Sequence, residues 1–416
     1  MKKYSILNFQ LTASRALPFS ILNCLFCLIL CGCITEYEAT GIDEIADILV
    51  VEGIITDDET TITLSRSMNL SGGFLKYSSS SYYPYPSYNY VDNARVYIEC
   101  DDGTQWEAET FDGWWVARNG KYTIKTGTLH QDRKYCLKIE IEENDGDCIP
   151  DGSWGWSCPT KIYEYCSEFS YPIRTPEIDS IFWIKRGRGQ PVMIHVATNS
   201  QDNKVLYYRW SYNEDWEIIS DVYLENYPYY CWNTAKSNEI LLGSAEKTIF
   251  GKLTDKVTEI SPSNRKLSVL YRIDVKQNAI SKRAYDYFAN IKKNSQQSGS
   301  IFAPTPSELR GNITCTTDPG RPVIGYIDIS STTHKRRYIA QQDNVYERPH
   351  SNCDTISKAS LCEERGLEGR DCFEFDPLEY GYVIYEYSDQ ILYMEAKCVD
   401  CTLNGGTLQK PDDWPR

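Results

Sequence analysis

Between Ile48 and Glu142 the chain repeats one pattern, short runs rich in β-branched and aromatic residues punctuated by turn residues. The runs are Ile48 to Thr56, Thr60 to Ser65, Ala94 to Cys100, Thr104 to Glu109, Lys121 to Lys125 and Tyr135 to Glu142. The punctuation is Asp57-Asp58, Asp101-Asp102-Gly103 and Asn119-Gly120. Strands this short, at this spacing, bury one face each and close into a sandwich or barrel. The pattern resumes after Pro172 to Pro176 with Ile178 to Lys185, Val192 to Ala197, Val205 to Tyr212, Trp216 to Ile219 and Lys266 to Gln277, then Val323 to Ile329, Arg337 to Ala340, Val383 to Tyr387 and Ile391 to Ala396. One helix interrupts it. Ser281 supplies an N-cap, and Ala284, Phe288 and Ile291 form an apolar stripe at helical spacing, which predicts a helix over 282–295. The expected fold is mainly β, with two β-sandwich domains (Ig-like or transthyretin-like) and one short helix in the second.

The amino terminus reads as an export signal. Lys2, Lys3 and Arg15 precede an apolar stretch from Leu17 to Leu30, shorter than the roughly 20 residues that span a bilayer and broken by Pro18, Ser20 and Asn23. It ends in Leu30-Cys31-Gly32-Cys33, a lipobox whose Cys33 thiol would carry lipid. Residues 1–32 are then a lipoprotein signal peptide and 33–46 a lipidated tether in which Glu36 and Glu38 suit transfer to the cell surface. Residues 47–171 form an N-terminal sandwich, and 172–416 a C-terminal β-rich domain with the helix and a Cys-rich tail. Cleavage removes three basic and no acidic residues, so 43 Lys and Arg become 40 against 58 Asp and Glu, and the net charge moves from −15 to −18. So anionic a chain repels phosphate backbones, which excludes nucleic acid as a natural partner.

Of 16 cysteines, four lie at or before the lipidation point. The other twelve are Cys100, Cys136, Cys148, Cys158, Cys166, Cys231, Cys315, Cys353, Cys362, Cys372, Cys398 and Cys401. An even number in an exported chain reads as disulfides, with a connectivity that sequence leaves open. The Cys398-Val399-Asp400-Cys401 motif is half a zinc site without a second closely spaced pair, so no metal or other cofactor is expected.

Catalytic patterns are missing. His130, His195, His334 and His350 sit in no recognised catalytic motif, and the adjacent carboxylates Glu142-Glu143 and Glu363-Glu364 would point to opposite faces of a strand. Asp145-Gly146-Asp147 with Asp151-Gly152 places Ile149 where a calcium loop needs oxygen, and Gly187-Arg188-Gly189 reads as a turn. Aromatic residues are the unusual feature, with 32 Tyr and 10 Trp. Tyr82, Tyr83, Tyr85, Tyr88 and Tyr90 lie in a Ser/Tyr/Pro tract too crowded to bury, and with Trp114, Trp115, Trp154 and Trp156 they are the candidate binding aromatics.

A set of short motifs in fixed order resembles the Bacteroidota outer-membrane lipoprotein family catalogued as domain of unknown function 4249. They are Leu49-Val50-Val51-Glu52-Gly53, Ala94-Arg95-Val96, Gly120-Lys121-Tyr122, Tyr135-Cys136-Leu137 and Pro176-Glu177-Ile178-Asp179-Ser180-Ile181. Further on come Tyr207-Tyr208-Arg209-Trp210 before Glu214, Gly299-Ser300-Ile301-Phe302, Pro304-Thr305-Pro306-Ser307, Gly311-Asn312-Ile313, Cys398 to Cys401, Gly405-Gly406-Thr407, Lys410-Pro411 and Trp414. Ala303 and Asp413 depart from the pattern, which has an acidic residue and an aromatic one there. The resemblance implies a sandwich lipoprotein on the outer membrane, facing the cell exterior, often encoded beside a TonB-dependent β-barrel transporter. The resulting expectation is a non-enzymatic accessory or binding subunit of such a transporter. The alternatives are a fimbrial or adhesin-type structural lipoprotein, which would need a free apolar donor strand where this tail is polar, and a hydrolase with an unfamiliar site.

Overall fold

The computed structural model describes residues 48–67, 90–109, 119–144, 149–150, 156–200, 205–248, 251–297, 311–349, 353–387 and 391–415. Residues 1–46, read above as signal peptide and tether, and Cys33 among them, lie outside these. Residues from Asp47 onward form one compact unit.

The first half holds β1 (Leu49–Gly53), β2 (Asp58–Arg66), β3 (Ala94–Cys100), β4 (Gln105–Glu107), β5 (Lys121–Gly127), β6 (Tyr135–Asn144), β7 (Ile149–Pro150), β8 (Trp156–Ser157) and β9 (Thr160–Ser167). The second holds β10 (Ile178–Lys185), β11 (Val192–Asn199), β12 (Tyr207–Ile219), β13 (Tyr230–Lys236), β14 (Leu241–Ser244), β15 (Lys252–Ile260), β16 (Leu270–Ala279) and helix α1 (Lys282–Gln297). After α1 come β17 (Ile313–Cys315), β18 (Val323–Gly325), β19 (Thr332–Ala340), β20 (Ile356–Ser357), α2 (Lys358–Glu364), α3 (Gly369–Glu374), β21 (Tyr382–Tyr387), β22 (Ile391–Glu395) and α4 (Ala396–Val399). The chain is mainly β, as its periodicity requires.

One sandwich packs the sheet β18-β1-β2-β5 on β17-β9-β6-β3-β4. Alternation puts Leu49 and Val51, Ile62 and Leu64, Val96 and Ile98, and Leu137, Ile139 and Ile141 into a shared core. The other packs β10-β11-β15 on β13-β12-β16-β19, with β14 beside β12. Its core includes Ile194, Val196, Tyr208, Trp210, Ile273 and Val275. Gln277, wholly buried there, accepts from Trp210 Nε1 (2.8 Å) and donates to Thr198 Oγ1 (3.1 Å) and Pro176 O (2.8 Å). Burying an amide is tolerable because its hydrogen bonds are made.

Strands β17 and β18 fall in sequence between β16 and β19 of the second sandwich yet complete both sheets of the first, β17 beside β9 and β18 parallel to β1. The expected division at residue 172 takes no account of this return. The Pro172 to Pro176 segment is itself tied down: Ile173 bridges Ser330, the Thr175 N–H donates to Ser331 Oγ at 2.9 Å, and Thr175 is buried.

Sequence patterning also misses β9, β13, β14, β15 and β17, and it splits β12 in two at Asn213-Glu214-Asp215. Those acidic residues are buried in an unbroken strand because each has a partner. Glu214 accepts from Tyr271 Oη (2.8 Å) and pairs with Lys266, while Asp215 accepts from Arg272 Nε and Nη2 (3.0 and 2.8 Å). The C-terminal tail then folds over the outer face. Arg272 donates to Asp412 O (3.1 Å) and lies over the Trp414 ring, whose Nε1 donates to Glu217 (3.2 Å).

The cysteines divide by location. Cys231–Cys401, Cys353–Cys398 and Cys362–Cys372 are disulfides, and Cys158 is also disulfide-bonded. Cys148 lies outside the described residues. Cys100, Cys136, Cys166 and Cys315 are free thiols, which corrects the expectation that all twelve pair. Cys100 and Cys315 face the first core from strands three positions apart in one sheet, about 14 Å, well beyond a disulfide's reach. The Cys-rich tail is also more helical than expected: α2, α3 and α4 are each seven residues or fewer, too short to show periodicity.

The returning segment is fixed by Gly311 and Asn312. A Cβ at Gly311 would lie 1.6 Å from Gly325 O, and the buried Asn312 side chain donates to Ile327 O (2.7 Å) and accepts from Ile327 N (2.8 Å). Replacing Asn312 with Ala orphans both backbone groups, and we expect a loss of about 1–3 kcal/mol for each in urea denaturation. An unchanged midpoint would show that the return crossing does not hold the first sandwich together.

Candidate binding surface

Strand β12 leaves the sheet at Ile219 and returns as β13 at Tyr230, and the intervening loop carries Tyr223, Tyr227 and Tyr229. Alternation persists through the first half of that loop. Val222 and Leu224 pack inward against Val383, Met394, Cys398 and Val399, so Tyr223 between them is driven outward. Asn226 then takes a positive φ of 72°, a conformation Asn tolerates, and turns the chain back. Tyr223, Tyr227 and Tyr230 are 68%, 37% and 55% exposed. The half-buried Tyr229 holds the group together, meeting Tyr223 edge-on at 5.5 Å and Tyr230 at 4.9 Å between ring centroids.

The loop is pinned at several points. Ser220 N donates to Tyr229 O (3.0 Å), Val222 N to Cys398 O (2.9 Å) and Cys401 N to Pro228 O (3.0 Å). Cys231, next to Tyr230, is bonded to Cys401, so the Cys-rich tail clamps the loop covalently. Below it, Asp221 accepts from Arg348 Nη2 (2.9 Å) and pairs with Arg265. Burial by itself would raise the Asp221 carboxyl; the hydrogen bonds from Arg348 and Arg265 outweigh it and hold the group below the usual carboxylate range. The result is an ordered, exposed aromatic surface. Rigid tyrosines give large amphipathic contact area at low entropic cost.

The residues proposed from sequence are distributed differently. Tyr82, Tyr83, Tyr85, Tyr88, Trp114, Trp115 and Trp154 lie outside the described residues, as do Asp145, Asp147, Asp151 and His350. Trp156 is in β8. Tyr90 is exposed and bridges Ser65 beside the first sandwich. His195 stacks on Phe182, with Nδ1 3.3 Å from Met193 O. Glu143 pairs with Arg66 and Arg321, whereas Glu142 accepts from Thr160 Oγ1 (2.6 Å). Gly189, in the turn between β10 and β11, donates its N–H to the Glu347 carboxylate. The Tyr223 to Tyr230 loop was missed because its four tyrosines occupy an ordinary hairpin connection. The available signal was a tyrosine cluster containing Asn226 and Pro228, the Tyr/Pro/Asn composition that also marked residues 82–90, set against Cys231.

Comparison with known proteins places the chain. The family model described as "Domain of unknown function (DUF4249)" matches residues 34–146 and 159–336, and the chain belongs to that family. No curated protein matches it. Among solved structures, a cytokine receptor complex is similar at 8% identity over 55% of this chain and 84% of its own, with a TM-score of 0.18. A DUF4785-family protein from Legionella pneumophila is similar at 11% identity over 56% of this chain and 51% of its own, with a TM-score of 0.19. Scores this low carry no argument about fold or function.

Because its pKa is depressed, Asp221 contributes stability that is present above the unfolded carboxylate pKa, about 3.9, and is lost only as pH falls through the lower folded value. We therefore expect amide exchange in residues 221–229 to be flat from pH 7 down to that range, after correction for the intrinsic rate. Asp221→Ala should accelerate it already at pH 7, by a factor matching about 1–3 kcal/mol. Equal exchange in the two proteins would mean that the arginines do not brace the loop.

Proposed function

We propose that this protein is a surface-exposed, lipid-anchored binding subunit of the outer membrane that acts without catalysis beside a TonB-dependent β-barrel transporter. The observation that carries this reading is the pinned tyrosine surface of Tyr223, Tyr227 and Tyr230, three rings held in place over a cystine-clamped tail. Tyrosine is enriched at the energetic centres of protein interfaces, and a loop that is already ordered loses little entropy on binding. Support for the location comes from the Leu30 to Cys33 lipobox and from disulfides, which form and persist outside the reducing cytoplasm. The association with a transporter rests on what the resemblance carried by the ordered motifs implies.

Two measurements test it. Radiolabelled palmitate should enter the wild-type chain and not Cys33→Ser. Affinity purification from detergent-solubilised outer membrane should recover a β-barrel transporter, and the Tyr223→Ala, Tyr230→Ala double variant should lose at least tenfold of that recovery, since exposed hot-spot tyrosines are worth about 1–2 kcal/mol or more each. Recovery of the bait alone, or equal recovery by the variant, would overturn the assignment of partner or of surface respectively.

A further inference from the structure

Cys136 and Cys166 stand apart from the other cysteines. They lie on neighbouring strands β6 and β9, on the outer face of the sheet, with sulfurs 3.8 Å apart. In register, Cys166 is opposite Lys138, and Cys136 is opposite Glu99 of β3. The thiols are therefore diagonal neighbours, ordinarily too distant to touch. A bulge closes the gap: between the Lys138–Cys166 pair and the Tyr135–Ser170 bridge, the β9 side carries one extra residue. There the Leu137 N–H is taken by the Ser167 hydroxyl at 2.8 Å instead of a ladder carbonyl. On its other edge the same segment pairs with β17, so the departure from the ladder is confined to the side facing Cys136.

We propose that Cys136 and Cys166 are an exchange-active dithiol, a site that accepts a disulfide bond from low-molecular-weight or protein disulfides and passes it on. The division of labour follows from exposure. Cys136 is fully buried and Cys166 only partly so, so an incoming disulfide meets Cys166. The Cys166 thiol donates toward Cys136 and to Ser167 O (3.1 Å). Once it ionises, the Cys136 S–H can turn to donate to the thiolate, and this contact lowers Cys166 to about 7 against the opposing effect of burial; Lys138 lowers it further while Glu99, paired with Lys138 at 3.1 Å, opposes. The same contact, with burial, pushes Cys136 up, so the first proton leaves Cys166. A thiolate near neutral pH is the nucleophile this chemistry needs.

The exchange has two steps. The Cys166 thiolate attacks one sulfur of R–S–S–R′, forming Cys166–S–S–R and breaking the original bond, and R′–S⁻ departs with the electron pair. Cys136 then gives up its proton and attacks Cys166 Sγ, forming the Cys136–Cys166 bond and expelling R–S⁻. The protein dithiol loses two electrons and two protons, and the incoming disulfide gains both. The sulfurs must approach from 3.8 Å to about 2.05 Å, within reach of side-chain rotation and adjustment at the bulge.

The test uses the full-length chain equilibrated in glutathione buffers of rising oxidised fraction, then differentially alkylated and read cysteine by cysteine by mass spectrometry. Peptides containing Cys136 and Cys166 should pass together from alkylated to mutually linked, and back again on reduction, while Cys100 and Cys315 remain thiols. Cys136→Ser should trap Cys166 as a glutathione mixed disulfide, and wild-type Cys166 should alkylate about tenfold faster at pH 8 than at pH 6, following its thiolate fraction. The proposal is overturned if the pair stays reduced at every potential, or if it is an inert cystine that glutathione cannot reopen. The wild-type titration decides this even if the variant fails to fold.

Discussion

The structure depends on the chain's return from the second sandwich to the first. Strands β17 and β18 are separated from β9 and β1 by more than a hundred residues of sequence, yet each completes a sheet of the first core. Closing a loop of this size costs entropy that grows only slowly with length, so the gain from completing two sheets readily exceeds it. The crossing also fixes the segment between the sandwiches. Ile55 and Ile173 both hydrogen-bond into residues 328–331, so the entry to one sandwich, the passage to the other and the return share a single strip of backbone. Two modules that could have moved independently are thereby made one body.

Several motifs that carry the family resemblance have structural explanations within this crossing and its surroundings. Gly120 takes a φ of +63°, and a Cβ there would lie 2.2 Å from Leu64 O. Its neighbour Tyr122 donates to Val91 O (2.7 Å) and accepts from Ala94 N (3.0 Å), which joins the Gly120-Lys121-Tyr122 and Ala94-Arg95-Val96 motifs in one hydrogen-bonded corner. Gly311 and Asn312 clamp the returning strands, Pro176 accepts from Gln277, and Trp414 covers Arg272. These residues hold the scaffold. The exposed tyrosine loop lies between the motifs, where substitution would alter the surface without changing the fold.

The Cys-rich tail shows how a small segment becomes rigid. The three helices and three strands of residues 353–399 have modest cores around Leu361, Phe375 and Tyr393 and around Val383 and Met394. Cystines at both ends of the segment and within it constrain its unfolded state, and one of them ties the tail to β13. The tyrosine loop inherits that rigidity because its backbone bonds to the same cysteines' carbonyl and amide groups.

Periodicity in the sequence was enough to determine the β class, most strands of both sandwiches and helix α1, because side-chain alternation and an N-cap are local properties that a dozen residues display. The spacing within Leu30-Cys31-Gly32-Cys33, on which the expectation of lipidation rests, and the order of the family motifs are likewise written in the chain itself. What only the tertiary structure decided were matters of long-range pairing: that β12 continues through Glu214 and Asp215 because Tyr271, Lys266 and Arg272 meet them, that β17 and β18 belong to the first sandwich, and which cysteines bond. The tyrosine surface belongs with these, since four aromatic residues in a loop become a surface only when Val222 and Leu224 find a core contributed by residues more than 150 positions away. Pairing energies of this kind depend on partners brought together by the fold, and no local window of sequence contains both sides of the contact.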